Sequence, residues 1–229
     1  MRAMILAAGR GERMRPLTDS MPKPLLQAGG KALIVWHIER LVAAGITEIV
    51  INLSWLGEQI EQALGDGGRY GARIRYSLEP QPLETAGGIA QALPYFEEQP
   101  FLVVNGDVWC DWNPAEAKRV AAGMDSSMLA WLMLVDNPVQ HPRGDFQLHD
   151  SGLVTDISTP VAPATLTFSG IGVYRPALFH GVAPGQAAPL APLLRQAMAA
   201  RKVAGCHYNG LWTDVGTPQR LTQLDTALR

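Results

Sequence analysis

Apolar residues along this chain fall into two alternating rhythms. Arg2–Ala7, Glu48–Asn52, Arg73–Leu78 and Phe101–Asn105 are short apolar or alternating runs, which predict strands. Between them lie stretches of helical period. Leu33–Ala44 puts Leu33, Trp36, His37, Arg40, Leu41 and Ala44 on one side, and Gly45 ends it. Leu56–Leu64, closed by Gly65, and Ala86–Leu93 read as further helices. Strands alternating with helices predict a mostly parallel sheet covered on both faces. The second half is less regular. Met128–Val135 predicts a central strand. Phe146–His149 and Leu153–Ile157 flank Asp150-Ser151-Gly152 and predict a hairpin. Thr167–Tyr174 is a strand whose two glycines imply close backbone approach. Pro189–Arg201 reads as a helix, Lys202–Cys206 as a strand and Thr217–Leu228 as a closing helix. Pro138–Gly144 and Pro160–Ala164 read as loops over a site, and no linker divides the chain, which predicts one domain over 1–229.

Composition narrows the class. The 229 residues are 47% hydrophobic and 17% charged, which excludes a disordered chain. A net charge of -2 gives no field to recruit nucleic acid or an anionic membrane. The longest strongly apolar run, Met128–Val135, falls far short of the roughly 20 residues a membrane helix needs. Ala3–Ala8 could open a secretion signal, but Arg10, Glu12, Arg13 and Arg15 follow at once, so a buried first strand is the expectation. Cys110 and Cys206 match no zinc spacing and read as packed thiols of a reducing cytoplasm.

The first strand runs into Ala8-Gly9-Arg10-Gly11-Glu12-Arg13. A loop at the carboxyl end of a first strand is where α/β sheets bind ligands, and its glycines let amides approach phosphate oxygens. Arg10, Arg13, Arg15 and Lys23 crowd cations around it, as a triphosphate requires. No Gly-Lys-Ser/Thr follows, which excludes a Walker loop, and Met14 stands where a dinucleotide fingerprint needs a small residue. Asn105-Gly106-Asp107 closes the apolar strand Phe101–Asn105 and opens onto the same crevice, and Asp214 lies just before the last helix. Two such carboxylates can clamp one Mg²⁺, although position alone leaves helix capping equally open. Asp111 reads as a cap or turn residue, and His37 as packed.

The longer string Leu6-Ala7-Ala8-Gly9-Arg10-Gly11-Glu12-Arg13-Met14-Arg15-Pro16-Leu17-Thr18, followed by Pro22-Lys23-Pro24-Leu25-Leu26, resembles the signature of the sugar-1-phosphate nucleotidyltransferases. Glu12 replaces the usual Thr and Met14 the usual Leu. The resemblance recurs at Glu79–Gly88, Asn105–Asp107, Phe168–Gly172 and Trp212–Pro218, so it spans the whole chain. It implies a single-domain, Rossmann-like three-layer αβα sandwich with a mostly parallel central sheet and a small β annex. Residues 1–110 would form the nucleotide half and 111–229 the sugar half.

The resemblance also implies the chemistry. A sugar-1-phosphate oxygen attacks the α-phosphorus of a nucleoside triphosphate, and pyrophosphate leaves. Arg13 and Lys23 would be catalytic, Arg13 holding the pyrophosphate and Lys23 neutralising the converging phosphates. Ala8, Gly9, Gly11, Glu12, Glu79, Glu84, Thr85 and Gly87 would complete the nucleotide site. Asp107 and Asp214 would hold Mg²⁺. Asn105, Gly144 and Ser169 would meet the sugar. Glu79 stands where the family often has a glutamine. A carboxylate only accepts hydrogen bonds, so it favours uracil, thymine or guanine, which carry a ring N–H. The Leu-Ala-Ala-Gly opening and the Trp-x-Asp-Val-Gly-Thr-Pro ending are most similar to members that join UTP to N-acetylmuramate 1-phosphate in cell-wall recycling. That sugar carries a lactyl carboxylate, for which Arg143 is the only permanent cation in His141-Pro142-Arg143-Gly144. GDP-mannose or dTDP-glucose formation, molybdenum-cofactor guanylyl transfer, and a silent nucleotide-sugar sensor are the alternatives. The joint presence of Arg13, Lys23, Asp107 and Asp214 speaks against the sensor. The family's Glu-Lys-Pro near Ile157 is Ser158-Thr159-Pro160 here, and Arg10, Arg15 or Arg175 are the candidates for the missing cation.

Overall fold

A computed structural model describes residues 1–157 and 164–229. The Ser158-Thr159-Pro160 substitution and most of Pro160–Ala164 therefore lie outside the described residues. In chain order the elements are β1 (Ala3–Leu6), β2 (Gln27–Ala28), β3 (Lys31–Ala32), α1 (Leu33–Ala43), β4 (Glu48–Leu53), α2 (Gly57–Leu64), β5 (Arg73–Leu78), α3 (Glu84–Ala92), β6 (Phe101–Asn105), β7 (Val108–Cys110), α4 (Ala115–Gly123), β8 (Ala130–Val135), β9 (Phe146–Leu148), β10 (Val154–Asp156), β11 (Thr165–Tyr174), α5 (Leu190–Ala199), β12 (Val203–His207), β13 (Trp212–Asp214) and α6 (Pro218–Ala227).

The central sheet runs β12-β8-β11-β6-β1-β4-β5. β6, β1, β4 and β5 are mutually parallel, as are β12 and β8, while β11 runs antiparallel to both β6 and β8. The start of β11 leaves this sheet to pair β9, which forms the expected hairpin with β10. That annex, the ladder β7-β13 and the two-residue ladder β2-β3 are the all-antiparallel pieces among the described residues.

The period of two in the strands sorts residues into layers. Ala3 and Ile5 of β1, Ile49 and Ile51 of β4, and Leu102 and Val104 of β6 meet Ile34, Ile38 and Leu41 of α1 and Ile60 and Leu64 of α2. The alternate residues Met4, Val50, Phe101 and Val103 meet Ile89 of α3 and Leu194 and Met198 of α5 on the other face. A third cluster joins Met14, Leu33, Trp109, Val215 and Leu224, and seats α6 beside the first loop. The three-layer expectation holds. The strand β7, its partner β13 and helix α4 carry no strong periodicity and are absent from the sequence reading.

Candidate functional site

Parallel strands end together, and the register shows where. Leu6 pairs both Asn52 and Asn105, and Leu53 pairs Leu78, so the carboxyl ends of β1, β4, β5 and β6 share one edge. A cavity of about 980 Å³ opens there. It is lined by the first loop from Ala7 to Met14, by Lys23, Asn52, Trp55, Glu79, Glu84, Thr85, Asn105 and Asp107, and by Gly216.

The loop is shaped by one glycine. Gly11 has φ +67, and a Cβ there would lie 3.1 Å from Thr18 Cγ2 and 3.2 Å from Lys23 Cβ. Its carbonyl accepts from Thr18 Oγ1 at 2.9 Å. Trp55 braces the same loop: its Nε1 donates to Thr18 O at 3.2 Å, and its ring carries the Arg10 guanidinium 4.5 Å from its centroid. Arg13 is exposed and forms no ion pair or hydrogen bond among the described residues, so its guanidinium is uncommitted.

Lys23 is buried, and its Nζ lies 2.6 Å from Asp107 Oδ2. The β7-β13 ladder brings the second aspartate alongside. Asp214 pairs Val108, and Val215 N donates to Asp107 O at 2.7 Å. Asp214 Oδ2 lies 3.1 Å from Arg220 Nη2, and its Oδ1 accepts from Gln140 Nε2 at 2.7 Å. Gln140 belongs to the segment Pro138–Gly144, which therefore reaches Asp214.

Glu79 is buried at the end of β5. Its Oε1 accepts from Asn52 Nδ2 at 2.7 Å and its Oε2 from Leu83 N at 3.1 Å. Burial raises its pKa above the ordinary carboxylate value, against the two donors, which lower it. Glu84, the first residue of α3, lines the cavity with φ 56, a strained conformation for a side-chain-bearing residue.

A model of the nucleotidyl transferase family matches residues 2–229. The chain belongs to the nucleotidyl transferase family. This nucleotidyltransferase is 56% identical over 225 residues to the N-acetylmuramate alpha-1-phosphate uridylyltransferase of Neisseria meningitidis serogroup B, covering 97% of this chain and 96% of that one. It is 35% identical over 228 residues to the enzyme of the same name from Caulobacter vibrioides, covering 95% and 92%. Its fold matches the solved structure of HddC from Yersinia pseudotuberculosis with a TM-score of 0.79, 20% identity and coverage of 100% and 99%.

Most residues singled out in the sequence meet at the cavity: Ala8, Gly9, Gly11, Glu12, Arg13, Lys23, Glu79, Glu84, Thr85, Asn105 and Asp107. Others do not line it. Gly87 packs instead against the chain before α5; a Cβ there would lie 2.3 Å from Gln186 O, and its amide donates to Ala188 O at 3.1 Å. Ser169 is fully buried, its Oγ accepting from Ile171 N at 3.2 Å at the irregularity where β11 shifts register. Its hydroxyl is therefore enclosed by protein rather than set in the cavity wall. Gly144 is a buried turn residue with φ +62; a Cβ would meet Asn137 Oδ1 at 2.6 Å. Asp214 and Arg143 lie outside the cavity's wall, Asp214 beside it through Gly216 and Arg143 on the exposed turn.

Of the three candidates for the missing cation, two are committed elsewhere. Arg15 pairs Asp19 at 3.1 Å, and Arg175 donates to the carbonyls of Met128 and Met124, each at 3.0 Å. Arg10 alone lines the cavity. Asp111 is no helix cap; its Oδ1 accepts from Tyr208 OH at 2.6 Å. Asn52, Gln140 and Arg220 went unread in the sequence. Asn52 left a signal, as a polar residue ending the apolar run Ile49–Ile51.

Proposed function

We propose that this nucleotidyltransferase joins UTP to N-acetylmuramate 1-phosphate, forming UDP-N-acetylmuramate and pyrophosphate for cell-wall recycling. The 56% identity to the meningococcal enzyme over nearly the whole length of both chains carries this reading. The cavity supports it with an acceptor-only carboxylate, Glu79, at the base end and an uncommitted cation, Arg13, beside Arg10 and Lys23 at the phosphate end.

The first loop presents backbone amides to the triphosphate, and Arg13 holds the departing pyrophosphate. Lys23 neutralises charge where the two phosphates meet; few positions serve better than one at the floor of the cavity. Asp107 and Asp214 fit a divalent cation. They are neighbours across one ladder, their side chains are 40% and 26% exposed, and each is already held by a cationic group. Mg²⁺ commonly takes only one or two carboxylates beside substrate phosphates, which suits this pair, and when bound it supplies charge stabilisation to the transferring phosphoryl group. Residues 1–110 are the nucleotide half; of the lining residues only Gly216 comes from beyond them. Residues 111–229 are the sugar half, whose Gly170 borders Asn105 of the nucleotide half and whose Arg143 reads the lactyl carboxylate from its exposed turn. Among the described residues no helix is long and apolar enough to cross a membrane, and the unpaired Cys110 and Cys206 accord with a reducing cytoplasm.

The test is a grid of nucleoside triphosphates against sugar 1-phosphates, reading pyrophosphate release with Mg²⁺. UTP with N-acetylmuramate 1-phosphate should give the highest kcat/KM. A higher value for a guanine or thymine nucleotide, or for a sugar without the lactyl group, overturns the reading.

A further inference from the structure

We propose that Asn52 is a positioning residue of the nucleotide site, fixing the Glu79 carboxylate against the first loop so that its free lone pairs face the base. This rests on the reading of Glu79 as the acceptor for a ring N–H.

Asn52 is 3% exposed, lies one residue before the end of β4 and forms part of the cavity wall. Its two amide atoms face opposite demands. Oδ1 accepts from Ala7 N at 2.8 Å, and Nδ2 donates to Glu79 Oε1 at 2.7 Å. A backbone N–H can only donate and an ionised carboxylate can only accept, so the amide has one workable orientation. One side chain thus ties the exit of β1, where the phosphate loop begins, to the carboxylate at the end of β5. Glu79 N adds a third tie, donating to Leu53 O at 2.7 Å.

The packing reserves room for this pair. A Cβ on Gly88 of α3 would lie 2.5 Å from Glu79 Oε1 and 3.0 Å from Asn52 Nδ2. Helix α3 can cover the pair only because residue 88 is a glycine. With Asn52 and Leu83 each donating once, Glu79 keeps a second lone pair on each oxygen for a ligand. Without Asn52 the buried carboxylate loses a donor at hydrogen-bond distance, and Ala7 N loses its acceptor. Glu79 then turns or takes up a proton, and a protonated carboxyl no longer repels bases that lack a ring N–H.

The test compares Asn52→Ala and the isosteric Asn52→Asp, which sets a carboxylate against Glu79, with Glu79→Ala and the double variant Asn52→Ala/Glu79→Ala. Thermal melts establish that each is folded at the assay temperature; if Asn52→Ala is not, Asn52→Asp decides. Both Asn52 variants should raise the KM for UTP about ten- to a hundredfold, the worth of a charge-assisted hydrogen bond. The change in kcat should stay within about threefold, with the KM for the sugar phosphate unmoved. The double variant should be no worse than Glu79→Ala, because Asn52 acts through Glu79. An unchanged KM for UTP, a parallel fall for both substrates, or additive losses in the double variant would overturn the proposal. Equilibrium binding of UTP and CTP, followed by tryptophan fluorescence with Trp55 at the cavity, separates the two ideas. A wild-type protein that does not prefer UTP sinks the base reading itself. A wild-type preference that survives in both Asn52 variants sinks only the role of Asn52.

Discussion

At the scale of single residues, the site contrasts a buried cation with exposed ones. Lys23 is 7% exposed and already holds a carboxylate partner, so its charge is fixed in place before any substrate arrives. Lys23→Met should lower turnover by orders of magnitude while changing triphosphate affinity modestly, because its charge matters most as the phosphates converge. Single-turnover rates beside equilibrium nucleotide binding check this, and equal losses in both would place Lys23 in ground-state binding. Arg10 and Arg13 are both exposed at the cavity but differently committed. Stacking on Trp55 holds Arg10, whereas nothing among the described residues holds Arg13. Arg13→Ala should cut kcat/KM about a hundred- to a thousandfold, the scale of one lost donor to developing charge. Arg10→Ala should cost less than about tenfold, in keeping with an exposed cation–π contact. Steady-state pyrophosphate release compares them, and similar losses would erase the distinction.

Among the elements, the short ladder β7-β13 has the largest consequence for its size. It carries Asp214 to Val108 and so sets the two aspartates beside each other. Gly216 then lets the first turn of α6 fold back on them. A Cβ there would lie 2.2 Å from Arg220 Nη2 and 3.0 Å from Asp214 Oδ2. Arg220 can swing aside, so Gly216→Ala should fold. Its displaced ion pair should cost about ten- to a hundredfold in turnover at saturating Mg²⁺, as small misplacements in a catalytic site do. Turnover with a thermal melt beside it is the measurement, and normal activity in a folded variant would detach Arg220 from the work of Asp214. This ladder was illegible in the sequence for a physical reason. Three-residue strands show too little periodicity to stand out, and their pairing joins segments about a hundred residues apart.

Across the whole molecule, the tight packing between layers places one titratable group where charge is disfavoured. His37 of α1 is buried, which lowers its pKa to about 4, and a hydrogen bond with the Val108 backbone only partly opposes this. A depressed value means the folded protein refuses a proton that the unfolded chain accepts. The stability it contributes is complete above about pH 6.5 and is lost as pH falls toward 4, by about 3 kcal/mol at the lower end. Urea unfolding of the wild type and His37→Leu between pH 7 and pH 4 tests this. The variant should be less stable at neutral pH but should lose stability less steeply on acidification. Parallel slopes would show that other groups govern the acid limb.

The local pattern was enough for the alternating layers, the first loop and the cation-rich string after it. Those depend on spacing and residue type within a few positions, which a chain displays directly. Asp107 was legible because it closes a continuous apolar strand at the edge where parallel strands meet ligands. Tertiary structure decided what required two distant segments at once. It sent the Ser169 hydroxyl inward, because the register of β11 shifts just there. It set Gly87 in the packing of α3 against the chain near Ala188. It withdrew Arg15 and Arg175 into other contacts. It also joined Ala7, Asn52 and Glu79 into one hydrogen-bonded chain across three strands. A hydrogen bond reports on distance and direction in space, and sequence order constrains neither once the partners lie on different strands.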